Sequence, residues 1–290
     1  MLKYNDLCKR LAGEYGGGEA RAMVRTVLED CFGMTYTEAV TGGVERLNED
    51  ECSRLDSMIC HMENGEPVQY VTGKAWYDGR MLSVNPGVLI PRPETEELCR
   101  WIIEDTRNTE NRQTRILDIG TGSGCIAITL ALGIAHSYVT AWDISGDALR
   151  TAAENAKETG AEVTLCMRDA LAAAEETGGG SNRLWDVIVS NPPYICISEA
   201  ADMSRNVLEH EPETALFVPD SNPLKFYKAI AAYAMKTLTT GGRLYFELNC
   251  AYATETAAML AGMGFTEVEI RKDAFGKDRM CRATAPQQTI

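Results

Sequence analysis

Two short segments of this 290-residue chain carry residue types whose spacing could do chemistry. The first is Asn191-Pro192-Pro193-Tyr194, which follows the apolar run Trp-Asp-Val-Ile-Val-Ser. An amide nitrogen is a poor nucleophile because its lone pair is delocalised into the carbonyl. An enzyme that alkylates such a nitrogen must align it with an electrophilic carbon and stabilise the positive charge that develops on it. The side-chain oxygen of Asn191 and the backbone carbonyl of Pro192 can each accept one N–H of a planar NH2 group. Both acceptors tighten as the nitrogen becomes positive, which is the transition-state preference that catalysis requires. The double proline stiffens the corner so that the acceptors stay aimed. Tyr194 is expected to stack on the flat group and exclude water. We therefore expect Asn191, Pro192 and Tyr194 to be catalytic and Pro193 to add to the substrate surface. No titratable base is needed, and no Ser, His or Cys nucleophile arrangement competes for the site.

The second segment is Gly120-Thr121-Gly122-Ser123-Gly124, preceded by Arg-Ile-Leu-Asp-Ile and followed by Cys-Ile-Ala-Ile-Thr-Leu-Ala. Glycines permit a sharp strand-to-helix turn and let backbone amides approach a ligand closely. Asp143 ends the next apolar run, where a carboxylate can accept both hydroxyls of a ribose. An adenosine is thus expected. The dinucleotide fingerprint asks for Gly or Ala in its sixth position, where this chain has Cys125, and it needs a pyrophosphate at the helix N-terminus. S-adenosylmethionine has a ribose, an adenine and an amino acid tail but no phosphate, and it suits a loop supported by Asp118 and followed by Asp143. Asp169, after the third strand, is placed to meet the adenine amino group.

These segments need elements to hold them. Beyond Arg115 strands and helices alternate, as in a doubly wound, mostly parallel α/β sheet. Strands are expected near 115–119, 138–143, 162–166, 185–190 and 243–248, with 265–271 and 278–283 as an antiparallel finish. A helix carrying Tyr227, Ile230, Ala234 and Leu238 is expected to close at Gly241-Gly242, and 177–181, with three glycines, reads as a solvated loop. Pro91, Pro93 and the acidic run Glu94, Glu96, Glu97 start a helix, since proline is tolerated in a first turn and carboxylates favour the positive end of the dipole.

Residues 1–73 read as a separate helical domain. Met23, Val24, Val27, Leu28 and Cys31 form one stripe, stopped by Gly33. A second helix opens at Asn48, with Glu51 placed for a capping box, and aligns Cys52, Leu55, Ile59 and Met62 before Gly65. These Met and Cys side chains suit a packed seam, and His61 a helix surface or seam. Residues 74–90 form a β-hairpin linker turning at Asp78-Gly79, and residues 91–290 the catalytic α/β domain.

Composition excludes several classes. Lys and Arg total 28 against 42 Asp and Glu, a formal charge of −14, which argues against a backbone-tracking nucleic-acid binder. Ten cysteines without a Cys-x-x-Cys pair, and only three histidines, do not make a zinc site, and no metal is expected. The opening Met-Leu-Lys-Tyr-Asn has no apolar signal core, so reduced thiols and a cytoplasmic location are expected. The longest apolar run, around 125–134, is too short to span a bilayer.

The chain resembles the protein-(glutamine-N5) methyltransferases of class I peptide-chain release factors. The resemblance covers nearly the whole chain. It rests on Glu66-Pro67-Val68-Gln69-Tyr70, on Val88-Leu89-Ile90-Pro91-Arg92-Pro93-Glu94-Thr95-Glu96, on Leu117-Asp118-Ile119 with the glycine loop, and on Ser190-Asn191-Pro192-Pro193-Tyr194-Ile195. Asn-Pro-Pro-Tyr is shared with adenine-N6 and other amino methyltransferases, whereas Ile-Pro-Arg-Pro-Glu-Thr-Glu is far more specific to the glutamine group. The resemblance implies a class I methyltransferase fold with a seven-stranded sheet, and methylation of the glutamine in the Gly-Gly-Gln loop of a release factor. It implies that the helical domain grips this protein partner. Cofactor contacts are implied at Gly120, Thr121, Gly122, Ser123, Gly124, Asp143, Asp169, Ala170 and Asn191, and substrate contacts at Asn191, Pro192, Pro193 and Tyr194. A monomer is expected, with no direct nucleic-acid or membrane contact. The chain departs from the family pattern at Val218-Pro219-Asp220-Ser221-Asn222-Pro223-Leu224 and at Asn249, which stands where glycine is usual; neither is expected to touch the chemistry. Ala170 is too small to stack on an adenine. The alternatives are a ribosomal-protein glutamine methyltransferase, an adenine-N6 nucleic-acid methyltransferase acting on a flipped base, and a silent scaffold.

Overall fold

The computed structural model describes residues 2–107, 113–175 and 185–287. The glycine-rich stretch 177–181 lies outside the described residues. The chain forms two compact units. One comprises Met1–Ala75, Val84–Pro86 and Met203–Glu211, the other Trp76–Ser83, Gly87–Asp202 and Pro212–Ile290.

The first unit is helical, as expected. Its long helix Tyr4–Phe32 bends at Gly16 (φ 73°, ψ 159°), a conformation that suits a residue without a Cβ. Gly33 ends the helix in the left-handed region, its N–H returning to the Glu29 carbonyl. Helix Glu49–Glu63 begins with a reciprocal capping box, in which Glu51 N–H donates to Asn48 Oδ1 and Asn48 N–H donates to the Glu51 carboxylate. Leu7, Leu11, Val24, Val27, Leu28, Leu55, Ile59 and Met62 are fully buried, so the apolar stripes form a core. His61 lies on the surface, its Nδ1 2.7 Å from Glu66 Oε2.

Strands β1 (Lys74–Tyr77) and β2 (Arg80–Ser83) form a hairpin. Asp78 and Gly79 take φ of 46° and 73°, the pair of positive values that a two-residue hairpin turn requires. The Asp78 N–H donates to Glu96 Oε1 at 2.8 Å.

The main sheet contains β3 (Thr114–Ile119), β4 (Ser137–Asp143), β5 (Val163–Met167), β6 (Trp185–Ser190), β9 (Leu238–Glu247), β10 (Thr266–Lys272) and β11 (Asp278–Thr284). Two short strands, β7 (Ile195–Cys196) and β8 (Phe217–Val218), pair with each other separately. Among the described residues the main sheet has seven strands in the order β10-β11-β9-β6-β3-β4-β5, parallel except for β11 against β9 and β10. The central strands are apolar on both faces, as a sheet covered on both sides requires. Ile116, Val187 and Tyr245 pack on one side with Leu98, Trp101 and Ile126. Leu117, Ile188, Leu244 and Phe246 pack on the other with Tyr227, Ile230 and Leu260. The predicted fold class is therefore observed, with strand ends differing by one residue in most cases.

The expectation that Gly241-Gly242 closes a helix is not met. That helix spans Lys225–Thr237, and β9 starts at Leu238 and runs through both glycines. The pairing of β9 with β6 jumps there, from Trp185 opposite Leu238 to Val187 opposite Arg243. Gly241 takes a φ of 72°, and a Cβ on Gly242 would lie 2.9 Å from the Thr239 carbonyl oxygen. The glycines serve a bulge in a strand, which uses the same residue for the same conformational reason as a helix stop.

Candidate active site

Strand order reverses at β3, with β4 and β5 on one side and β6 and β9 on the other. Open α/β sheets bind ligands beyond the carboxyl ends of the strands at such a reversal. A cavity of about 420 Å³ is lined there by the 120–123 turn, Asp143, Asp169, Asn191 and both prolines after it.

The turn is held by its own backbone and by one buried carboxylate. Gly120 N–H and Thr121 N–H both donate to the Trp142 carbonyl at 2.9 Å, tying the end of β3 to β4. Thr121 Oγ1 donates to Asp118 Oδ2 at 2.6 Å, the support expected of Asp118. Burial pushes the Asp118 carboxyl up to about 7, and the Thr121 hydrogen bond opposes the shift. Gly120 and Gly122 have φ of 76° and 55°. A Cβ at either would meet no atom within 4 Å, so the turn leaves open room beside its backbone. Gly124 (φ 83°) is constrained differently, since its Cβ would lie 3.1 Å from Ala152 Cβ and 3.2 Å from Ile128 Cδ1.

Asp143 is held by two backbone donors at 2.9 Å, Gly122 N–H on Oδ2 and Ser145 N–H on Oδ1. Each oxygen keeps a further lone pair, so the carboxylate can still accept two hydroxyls. Asp169 Oδ1 accepts Leu171 N–H at 2.8 Å at the start of helix Ala170–Glu175. Both Asp169 and Ala170 line the cavity. Arg168 also lines it, with its guanidinium 4.2 Å from the centroid of the Trp142 ring.

At the end of β6, Ser190 Oγ donates to the Ile119 carbonyl at 2.6 Å, fixing the two central strand ends together. Asn191 Nδ2 lies 3.4 Å from Thr95 Oγ1. Thr95 Oγ1 in turn donates to Glu247 Oε2 at 2.6 Å. The Tyr194 hydroxyl donates to Glu247 Oε1 at 3.1 Å. Burial raises the Glu247 carboxyl above its ordinary range, while its hydrogen bonds to Thr95 and Tyr194 pull it back. Burial likewise raises the Tyr194 hydroxyl, and the neighbouring Glu247 charge adds to the shift.

Asn191, Pro192 and Pro193 thus share one cavity with Gly120, Thr121, Gly122, Ser123, Asp143, Asp169 and Ala170. Tyr194 and Gly124 are not among its lining residues; the Tyr194 hydroxyl is on Glu247, and Gly124 packs against the next helix. Three residues given no role by sequence reasoning belong to this corner. Thr95 and Glu247 form the hydrogen bonds just described. Asn249, expected to stand clear of the site, is 6% exposed and donates from Nδ2 to the Tyr194 carbonyl at 3.1 Å and to Glu199 Oε2 at 2.9 Å. A carboxylate ending an apolar strand was the available signal for Glu247. Its relevance depends on the register that sets Ser190 opposite Phe246, one residue before Asn191 and Glu247.

Known proteins resemble this chain over most of its length. Residues 5–73 match the PrmC N-terminal domain family, and residues 100–213 match the methyltransferase small domain family. The release factor glutamine methyltransferase of Bacteroides thetaiotaomicron is 42% identical over 269 residues, 93% of this chain and 94% of that protein. That of Flavobacterium psychrophilum is 36% identical over 273 residues, 94% of each. Among solved structures, the hMettl16 catalytic domain in complex with MAT2A 3'UTR hairpin 1 has a TM-score of 0.54 at 17% identity, covering 83% of this chain and 82% of that one, a likeness of fold alone. With relatives of this identity matched from the helical unit through the Asn-Pro-Pro-Tyr corner, the chain belongs to the release factor glutamine methyltransferase family.

Proposed function

We propose that the chain transfers the methyl group of S-adenosylmethionine to the side-chain amide N5 of the glutamine in the Gly-Gly-Gln loop of class I release factors, and so modulates translation termination. We propose further that it works in the cytoplasm as a monomer, with no direct nucleic-acid contact. One observation carries the catalytic reading: Asn191 and Pro192 line the same cavity as the glycine turn and Asp143.

The residues present suit the cofactor. Open space beside Gly120 and Gly122 leaves room for its amino acid tail, and the spare lone pairs of Asp143 suit its ribose hydroxyls. When bound, S-adenosylmethionine supplies an electrophilic methyl on a sulfonium. Asn191 Oδ1 and the Pro192 carbonyl then accept the two N–H groups of the glutamine side chain and turn its nitrogen lone pair toward that methyl. As the N–C bond forms and the S–C bond breaks, positive charge grows on nitrogen and both acceptors bind it more tightly. The methylated nitrogen, strongly acidic while it is cationic, then gives its extra proton to water, so no strong base is needed.

The test is incubation of the full chain with labelled S-adenosylmethionine and, separately, a release factor, ribosomal proteins and DNA. Label on the release-factor glutamine is expected. Label only on a ribosomal protein or on adenine would replace the proposal with one of those readings, and label on none would point to a silent scaffold. The formal charge of −14 disfavours the nucleic-acid outcome.

A further inference from the structure

The two ends of the Asn191 amide have nearly the same shape, yet only its oxygen can accept a substrate N–H. Something must decide which end faces the cavity. The hydrogen bonds beneath the corner contain the answer. Thr95, in the first turn of helix Pro93–Thr106, is 2% exposed and has a single hydroxyl proton. Its Oγ1 is 2.6 Å from Glu247 Oε2. With Glu247 ionised its oxygens only accept, so that proton is committed to Glu247. The second Glu247 oxygen receives the Tyr194 hydroxyl at 3.1 Å, and the carboxylate therefore faces donors on both sides.

Thr95 Oγ1 consequently shows Asn191 lone pairs and no proton. The Asn191 nitrogen sits 3.4 Å away and can donate to them. That contact is long for a hydrogen bond and its own strength is small. The selectivity comes from the alternative, because a flipped amide would set its carbonyl oxygen against the Thr95 lone pairs in a part-buried setting where repulsion is only partly screened.

We propose that Thr95 and Glu247 are positioning residues, a one-way relay of hydrogen bonds from Asn191 to Thr95 to Glu247 that holds the Asn191 carbonyl oxygen toward the substrate. Tyr194 completes the relay by filling the remaining oxygen of Glu247. This gives Tyr194 a task at its hydroxyl rather than at its ring face. The relay rests on the reading of Asn191 as a substrate acceptor and adds what orients that acceptor.

Thr95→Val keeps the shape of the side chain and removes the hydroxyl. With saturating S-adenosylmethionine and a release factor as substrate, kcat of this variant should fall about tenfold or more, with cofactor Kd within about twofold of the parent. Thr95→Ser should recover most of the loss. In an Asn191→Ala background, Thr95→Val should remove little more, since no amide remains to orient. Undiminished kcat in Thr95→Val would overturn the relay, and so would a loss that multiplies fully onto that of Asn191→Ala. Thr95→Ala is a second variant read in the same way. Loss of fold or of cofactor affinity in both would assign Thr95 a structural role and overturn the proposal as well. Full activity of Asn191→Ala by itself would instead remove the functional reading on which the relay stands.

Discussion

The two units of the molecule handle buried polar groups in opposite ways. In the helical unit the fully buried side chains are almost all apolar; Glu211 is buried too, and single polar atoms of Tyr4, Glu45 and His210 are out of solvent. Its polar bonds are at the ends and outside of helices, such as the Asn48 capping box and the Arg10 guanidinium clamped on Glu63 at 2.7 Å. The α/β unit buries many more: Thr95, Asp118, Thr121, Ser190, Glu247 and Asn249 lie at the end of the sheet that carries the cavity, while Thr106 and Thr114 are buried at its opposite end. Buried polar groups need partners to offset their desolvation, and at the cavity end those partners also fix a direction. The comparison separates packing from aim. One unit is held by area removed from water, while the other places directed acceptors at a working corner.

That contrast can be broken, and the largest effect tests the aimed corner. Asn191→Ala should lower methyl transfer about a hundredfold or more, as loss of a transition-state hydrogen bond does elsewhere, and leave the folded state intact by circular dichroism. Equal loss of structure and activity would mean that the corner is packing after all. Next is Ile59→Ala in the helical core, which should destabilise that unit by about 2–5 kcal/mol. Faster amide exchange confined to helix Glu49–Glu63 and its neighbours, with unchanged cofactor affinity, is the expected signature. Asp143→Ala should weaken S-adenosylmethionine binding about tenfold or more by calorimetry, corresponding to charge-assisted bonds of about 1.5–3 kcal/mol; unchanged affinity would place the ribose elsewhere. The smallest effect is Asn48→Ala, which removes a helix cap worth about 1 kcal/mol and should shift only the helical unit's denaturation midpoint.

Much of the site was legible because its signals are local. A strand running into Gly-x-Gly-x-Gly, an acidic residue at the next strand end, and two prolines flanked by Asn and Tyr keep their meaning within a few residues of chain. The caps at Asn48 and Gly33 and the hairpin turn at Asp78-Gly79 were readable for the same reason. Gly241-Gly242 misled because a positive φ is compatible with a helix end and with a strand bulge alike. Asn249 was set aside as a departure from pattern, yet its amide reaches the Tyr194 carbonyl. Tyr194 itself was identified by position, but its expected stacking depended on which way its ring turns, and its hydroxyl is engaged with Glu247.

The amino-acid sequence alone determined that an Asn-Pro corner and a glycine turn each follow a strand of a doubly wound sheet, since hydrophobic period and turn chemistry act over a few residues. Only the tertiary structure decided that Thr95 of one helix, Asn191 after β6 and Glu247 of β9 share a chain of hydrogen bonds. Strand order and register bring those three together, and both are properties of side chains packing across the whole sheet rather than of any segment within it.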